Sequence, residues 1–260
     1  MNWKPIIIIL ITFALVFALM LVYKNNKVNT TQNHGIKDQN NYSSNTIIWG
    51  VDSASYTNNH FYTCVNEKVG SPAVWGRYLG SKGNVSIGIT KSEAERLHSK
   101  NIRILLINNQ FENATGYKNG VNEAKQGIKL ADQLGVPKGV AIFADIEPTY
   151  KVDSEFIKGY FDTMNKSKYI PGIYGVFSNE QQLTIAFSKA TKENNKIMKE
   201  TILWSAYPQN GITTKKQSPK TYSPQGPKGS KLLGWQYGLG AKKCNVDTNL
   251  FKGEIKEYLW

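Results

Sequence analysis

The chain predicts an α/β protein whose eight strands close into a barrel. Three observations lead there. β-rich runs alternate with amphipathic helical stretches from Thr46 to about Ala190, the rhythm of a parallel sheet. Beyond Ala190 three more strand-like runs follow with no convincing helix between them. Five βα units and three strands make eight strands, enough to close a barrel. Acids also fall at or beside strand ends, at Asp52, Asp145, Glu147 and Asp247, and parallel barrels keep their chemistry at the C-terminal ends of strands. A doubly wound open sheet is the competing architecture. The chain lacks the G-x-G-x-x-G phosphate fingerprint, which weakens that alternative without removing it.

The elements follow in order. Residues 46–52 (TIIWGVD) form a short β-rich run ending in a carboxylate, and 73–79 (AVWGRYL) a second strand. Thr90-Lys-Ser-Glu93 is a capping box that opens a helix to about Lys100. Residues 102–107 (IRILLI) are nearly all apolar, as in a strand buried on both faces. Val121, Ala124, Ile128, Ala131 and Leu134 recur at helical spacing, and Gly135 with Pro137 ends that helix. Residues 140–143 (VAIF) run as a strand into Asp145-Ile-Glu147-Pro148. Phe156, Ile157, Tyr160, Phe161 and Met164 mark another helix face, 170–176 a fifth strand, and Ser178 the start of a helix reaching past Ala190. The last strands are 203–206, 232–237 and 245–251, and residues 208–230, rich in Lys, Gly and Pro, read as a surface loop.

Before the barrel the text changes twice. Lys4 precedes an unbroken apolar run, residues 6–22, flanked by Trp3 and Tyr23. As a helix it covers about 25 Å, just short of a bilayer core of about 30 Å, with aromatics at interfacial positions. No small-x-small cleavage site follows, so residues 1–23 read first as an uncleaved membrane anchor, the alternative being a cleaved signal that would leave the protein secreted. Residues 24–45 are polar and Asn-rich, a tether, and the folded domain spans 46–260. The whole chain has 32 Lys and Arg against 19 Asp and Glu, for +13. That balance favours anionic partners: nucleic acid, a membrane surface or an anionic polymer. No nucleic-acid motif is present, and nucleic acid is not expected as a partner. With 2 Cys and 3 His a multi-ligand zinc site is nearly excluded. No metal and no cofactor is implied, and no Ser-His-Asp set or Gly-rich phosphate loop occurs. His34 falls in the tether, and His60 and His98 read as a loop and a helix-face residue.

Asp145 and Glu147 are two apart, so on an extended chain they share a face, with Cα atoms about 6.5–7 Å apart. Two close carboxylates repel, one proton is held more tightly, and that carboxyl becomes a general acid near neutral pH. The spacing leaves both retaining and inverting glycoside hydrolysis open, and a plain solvated D-x-E at a strand end is the commoner reading of such a pair taken alone. The wider pattern shifts that balance. Gly50-Val-Asp52-Ser-Ala-Ser55, Phe143-Ala-Asp145-Ile-Glu147, Gly172-Ile-Tyr174, Leu203-Trp-Ser-Ala206 and Gly234-Trp-Gln-Tyr237 with Val246-Asp247 together resemble the family-25 lysozymes. More closely they resemble that family's relatives, the exported glycoside-hydrolase-like domains of bacteria, and Ser71-Pro-Ala-Val-Trp-Gly-Arg-Tyr-Leu79 is similar to the second-strand signature of those relatives.

The resemblance covers nearly all of 46–260. It implies a barrel with a long groove for polymeric glycan, with cell-wall glycan or another anionic wall polymer as the partner. Glu147 would be the general acid and Asp145 the charge beside it. Asp52 and Asp247 would orient substrate or water, and Tyr174 and Gln236 would line a sugar subsite. Trp204 and Trp235 would stack on sugar faces or pack in the barrel. Arg77 would bind a substrate carboxylate or pair with a neighbouring acid. The chain departs from the lysozymes in carrying Phe143 where they usually have Tyr, and Tyr56-Thr-Asn after the first motif in place of Gln or His followed by Gly. The implied function is therefore a membrane-tethered, extracytoplasmic glycoside hydrolase, with a catalytically inactive wall-binding barrel as the alternative. Cys64 follows the first strand and Cys244 precedes the last. In a closed barrel these strands are neighbours, so a disulfide is expected outside the cytoplasm, the alternative being two separate buried thiols.

Overall fold

The structure is a computed structural model, and it describes residues 46–260. The apolar run 6–22 and the tether 24–45 lie outside the described residues. Among the described residues no helix is long and apolar enough to cross a membrane.

Eight strands form a closed barrel: β1 (Ile47–Ser53), β2 (Val74–Tyr78), β3 (Arg103–Asn108), β4 (Ala141–Ile146), β5 (Ile170–Gly175), β6 (Ile202–Ala206), β7 (Lys231–Gly238) and β8 (Asp247–Lys252). They pair in sequence order. All neighbours run parallel except β8, which is antiparallel to both β7 and β1. Residues 239–246 join β7 to β8, and antiparallel strands need no crossover helix. The regular helices end before β6, and the parallel β6–β7 connection is made by the long loop that follows β6.

The helices are α1 (Asn59–Lys68), α2 (Lys91–His98), α3 (Tyr117–Leu134), α4 (Ser154–Asn165), α5 (Gln182–Glu193) and α6 (Asn195–Glu200). Local chemistry sets their ends. Asn58, Thr90 and Asp153 accept backbone N–H groups at three N-termini, and Gly135 closes α3 in the left-handed region at φ 79°. Four features depart from expectation. His60 lies in the first turn of α1 and not in a loop. The helix expected from Ser178 begins at Gln182, with Ser178 accepting a hydrogen bond from Thr184 Oγ1. The Thr90 box forms only by half: Thr90 Oγ1 takes the Glu93 N–H at 3.2 Å, but the Glu93 side chain turns inward to Arg77. Residues Asn113–Ala114 and Lys151–Val152 pair as a small outlying sheet with no sequence signal strong enough to announce it.

Two apolar layers hold the fold. The outer one lies between the strands and their cover, and includes Trp49, Leu106, Ile142, Phe187 and Trp235. The inner one fills the barrel with Leu105, Phe143, Trp204, Leu233 and Phe251. Inward positions alternate large and small, as a packed barrel requires. A Cβ on Gly172 would stand 2.8 Å from Phe143 Cδ1, and one on Gly234 would stand 2.7 Å from Trp204 Cδ1. Those glycines admit the rings that form the floor beneath the acids. The loop 208–230 stands in for the missing helices, resting Tyr222 edge-on against Trp235, with ring centroids 6.1 Å apart. Cys64 on α1 is disulfide-bonded to Cys244 in the β7–β8 turn, across 180 residues.

Candidate active site

Side chains alternate along a strand, so the inward face of β4 runs Ala141, Phe143, Asp145 and then, just past its end, Glu147. The same step places Asp52 two residues after Gly50 on β1, Tyr174 two after Gly172 on β5, and Asp247 two before Asn249 on β8. Register completes the assembly: Asp52 is paired with Asp247, and Asp145 with Tyr174. The four acids, with Tyr78, Ile107, Tyr174, Trp204 and Gln236, enclose one cavity of about 40 Å³. The cavity opens at the C-terminal ends of the parallel strands.

One hydrogen-bond network fixes the β1–β8 side. Tyr174 donates its hydroxyl to Gln236 Oε1 at 2.7 Å, and Gln236 Nε2 donates to Asp52 Oδ2 at 3.2 Å and Asp247 Oδ2 at 3.3 Å. Asn249 Nδ2 donates to Asp52 Oδ2 at 2.7 Å, and Asn249 Oδ1 accepts the Trp204 indole N–H at 2.9 Å. The Gly240 amide donates to Asp247 Oδ1 at 2.6 Å. The β4 side is drier. Asp145 Oδ1 is buried with no hydrogen-bond partner, and the Asp145 and Glu147 carboxyls lie within side-chain hydrogen-bonding reach of each other.

Crowding sets the protonation states. Burial, followed by the charge of Asp247, pushes Asp52 up to about 8, against the pull of Asn249 and Gln236. Burial and the neighbouring Glu147 hold Asp145 well above the ordinary carboxylate range. Glu147 and Asp247 are raised chiefly by burial. Four carboxyls around so small a space cannot all ionise. The nearest counter-charge is Lys82, on the loop after β2. Its ammonium lowers both Asp145 and Glu147 and donates to Phe111 O at 2.8 Å and Tyr150 Oη at 3.3 Å.

Seven of the residues expected at the site thus meet in one place: Asp52, Asp145, Glu147, Asp247, Tyr174, Gln236 and Trp204. Trp204 is only 1% exposed and forms part of the cavity wall, its ring centroid 4.3 Å from that of Tyr174. Two expectations are corrected. Trp235 points outward between β7 and the covering loop, its indole N–H on Tyr207 O at 2.8 Å, so it offers no sugar platform. Arg77 is fully buried outside the cavity. It pairs with Glu93 at 2.7 Å and donates to Ser53 O at 2.6 Å and Ile87 O at 2.9 Å, which leaves it nothing for a substrate carboxylate. Three participants went unnoticed in the sequence. Tyr78 and Asn249 were legible as inward positions by alternation; Lys82, on a loop, carries no such signal. Among the described residues no cluster of three or more His, Cys, Asp or Glu is arranged to hold a metal ion.

This geometry has relatives. The Rv2525c-like glycoside hydrolase-like domain profile matches residues 71–249. The chain belongs to that family. An uncharacterized B. stearothermophilus protein of known structure is 36% identical over 82% of this chain and 100% of its own, with a TM-score of 0.79. The Mycobacterium tuberculosis Tat-secreted protein Rv2525c, solved with L-tartrate, shares the fold at 18% identity and TM-score 0.54, over 83% of this chain and all of its own. So does the Clostridium perfringens spore cortex lytic enzyme SleM, at 14% identity and TM-score 0.54, over 82% of this chain and 69% of its own. No match was found among curated proteins. As an Rv2525c-like domain, the barrel is glycoside hydrolase-like.

Proposed function

We propose that this Rv2525c-like domain acts outside the cytoplasm on cell-wall glycan, peptidoglycan or a related polymer, by carboxylate general-acid chemistry. The observation that carries the reading is the convergence of four acids, raised in pKa by burial and mutual repulsion, on one cavity at the C-terminal mouth of the barrel. The Asp145–Glu147 pair shares a proton. Glu147, the more open of the two, delivers it to the leaving glycosidic oxygen, while Asp145 holds the reserve proton and then the charge. Asp52 and Asp247, tied down by Gln236, Asn249 and Gly240, orient the sugar or the attacking water. Support for a polymeric ligand comes from the rim: exposed Val85, Ile87, Tyr207 and Leu239 all stand on loops that leave the same end of the barrel. The disulfide supports an oxidising compartment. The Tat-secreted and spore-cortex-lytic relatives are compatible with export and with wall substrates. Residues 1–23 would anchor the domain through the tether 24–45.

A second reading is favoured by the size of the cavity. About 40 Å³ among the acids admits a hydroxyl or a carboxylate but does not enclose a sugar ring, which suits a barrel that binds wall glycan without cleaving it. One experiment separates the two. Residues 46–260 and their Glu147→Gln form are compared on purified peptidoglycan for release of reducing ends and for binding. Hydrolysis predicts a rate loss of about 10²–10⁴-fold in Glu147→Gln with binding retained. Binding without release by either protein establishes the second reading.

A further inference from the structure

The acids occupy one end of the barrel, and the other end has its own character. Because β1 to β7 run parallel, the starts of those seven strands and the ends of the helices that lead into them lie on the face opposite the mouth. That face is basic. Arg103 and Lys231 begin β3 and β7, and Lys138, Lys199 and Lys228 sit in the segments that lead into β4, β6 and β7. Lys100 follows α2. All six are exposed, and among the described residues none is ion-paired. Lys168, on the same face, is spoken for by Asp132 at 2.9 Å. The acids there, Glu200, Glu254 and Glu257, are outnumbered. Exposed lysines stand on the mouth side as well, at Lys91, Lys118, Lys151, Lys242 and Lys243, but there they surround the buried carboxyls, whereas the base carries its cations with no such acid cluster among them.

Thr46 O accepts the Gly253 N–H at 2.7 Å, and Ile47 pairs with Lys252, so the described chain begins at the basic face. Ile47, beside that start, is 40% exposed. A cleft of about 640 Å³ opens in the same face, lined by Ala73, His98, Asn101, Arg103 and Trp260 among others. It is wide enough for a small anionic headgroup, with an aromatic ring at its side.

We infer that the base of the barrel docks on an anionic lipid surface, which holds the acid mouth away from the membrane and toward the wall. The argument joins the unpaired cations of the base, the start of the described chain at that face, and charge complementarity. Each surface lysine near an anionic leaflet adds favourable attraction, and a covalent link from the same face turns weak adsorption into a local, effectively intramolecular event. The inference does not depend on glycan turnover.

The test uses residues 46–260, the part that forms the closed barrel and to which the whole chain of the 36%-identical solved protein corresponds in size. Flotation is measured with phosphatidylcholine vesicles, with and without about a third phosphatidylglycerol; the attraction is expected to fall steeply with salt. Native protein should float only with anionic vesicles. Arg103→Glu/Lys138→Glu/Lys231→Glu should bind at least tenfold more weakly. A charge-matched control on the helical flank, Lys125→Glu/Lys129→Glu/Lys192→Glu, should bind nearly as the native protein does. The neutral set Arg103→Gln/Lys138→Gln/Lys231→Gln should fall between, with thermal melts confirming that every variant folds. An environment-sensitive dye should respond to vesicles at Lys228→Cys and not at Val85→Cys. The inference is overturned by native protein that ignores anionic vesicles, by equal losses in face and flank variants, or by a dye response at Val85→Cys. A soluble poly(glycerol phosphate) chain that displaces the vesicles at equal phosphate concentration would also overturn it, assigning the face to a wall polymer.

Discussion

Replacing Arg77 by Met should damage stability and leave glycan contact alone. The guanidinium makes three close bonds, to Glu93 at 2.7 Å, Ser53 O at 2.6 Å and Ile87 O at 2.9 Å, and both partners of the ion pair are fully buried. Once it is gone, the Glu93 carboxylate keeps only the Thr57 N–H at 2.8 Å. Breaking a buried pair from one side costs about 3–5 kcal/mol, because a charge is left without compensation. For a domain of this size each kcal/mol moves the melting temperature by about 2–4 °C, so Arg77→Met should melt roughly 10 °C lower. Arg77→Met/Glu93→Leu removes both charges. It should regain at least half of the loss, the remainder reflecting Thr57 N, Ser53 O and Ile87 O left without partners. Urea and thermal melts of residues 46–260 supply the double-mutant cycle. The reasoning fails if the single and double variants are equally unstable, or if Arg77→Met melts like the native domain while losing affinity for peptidoglycan.

Three further outcomes follow from the site and its frame. The folded state holds the Asp52 proton to about pH 8, far above its unfolded value near 3.8, so the native state binds more protons between those limits and stability declines as pH rises through them. Melting temperature should therefore fall from pH 5 to pH 8, and Asp52→Asn should flatten that slope; an unchanged slope in the variant would put the proton elsewhere. Reducing the Cys64–Cys244 bond opens a loop of 180 residues, worth up to about 5 kcal/mol in the chain-entropy model. It also frees the turn whose Gly240 amide holds Asp247, so a lower melting temperature and weaker glycan binding should appear together on adding reductant. Asn249→Leu strands the Trp204 indole N–H and withdraws one donor from Asp52. It should cost about 1–3 kcal/mol in urea melts and raise the apparent Asp52 titration further.

Much of the barrel was legible because its signals are local and repeated. The runs IRILLI and VAIF read as strands buried on both faces, and they form β3 and β4. The α3 pattern with Gly135 is helix and stop in one segment, and the absence of a helical period in 208–230 marked the one parallel connection made by a loop. The residues that went astray share a different cause. Arg77 stands between the inward Gly76 and Tyr78, so alternation turns it to the outer layer, where Glu93, sixteen residues on, meets it; the motif match, not the strand period, suggested the mouth. Trp235 and Gln236 are adjacent, and alternation puts one of them outside; which one depends on the shift in pairing between β6 and β7 at Leu203 and Trp204.

The sequence by itself determined the strand and helix order, the acids at the strand ends, the two cysteines that lie near neighbouring strands, and the family pattern that joins them. All of these depend on residue type and on spacing along the chain. Only the tertiary structure decided that Asp145 keeps a buried carboxyl oxygen without a partner, that Asp52 shares the Gln236 donor with Asp247, that Arg77 is a structural ion, and that six unpaired cations meet on the face opposite the mouth. Burial, proton affinity and polarity are properties of what surrounds a group in space. Closure of the barrel creates those surroundings from residues as far apart as Asp52 and Asn249, 197 positions along the chain.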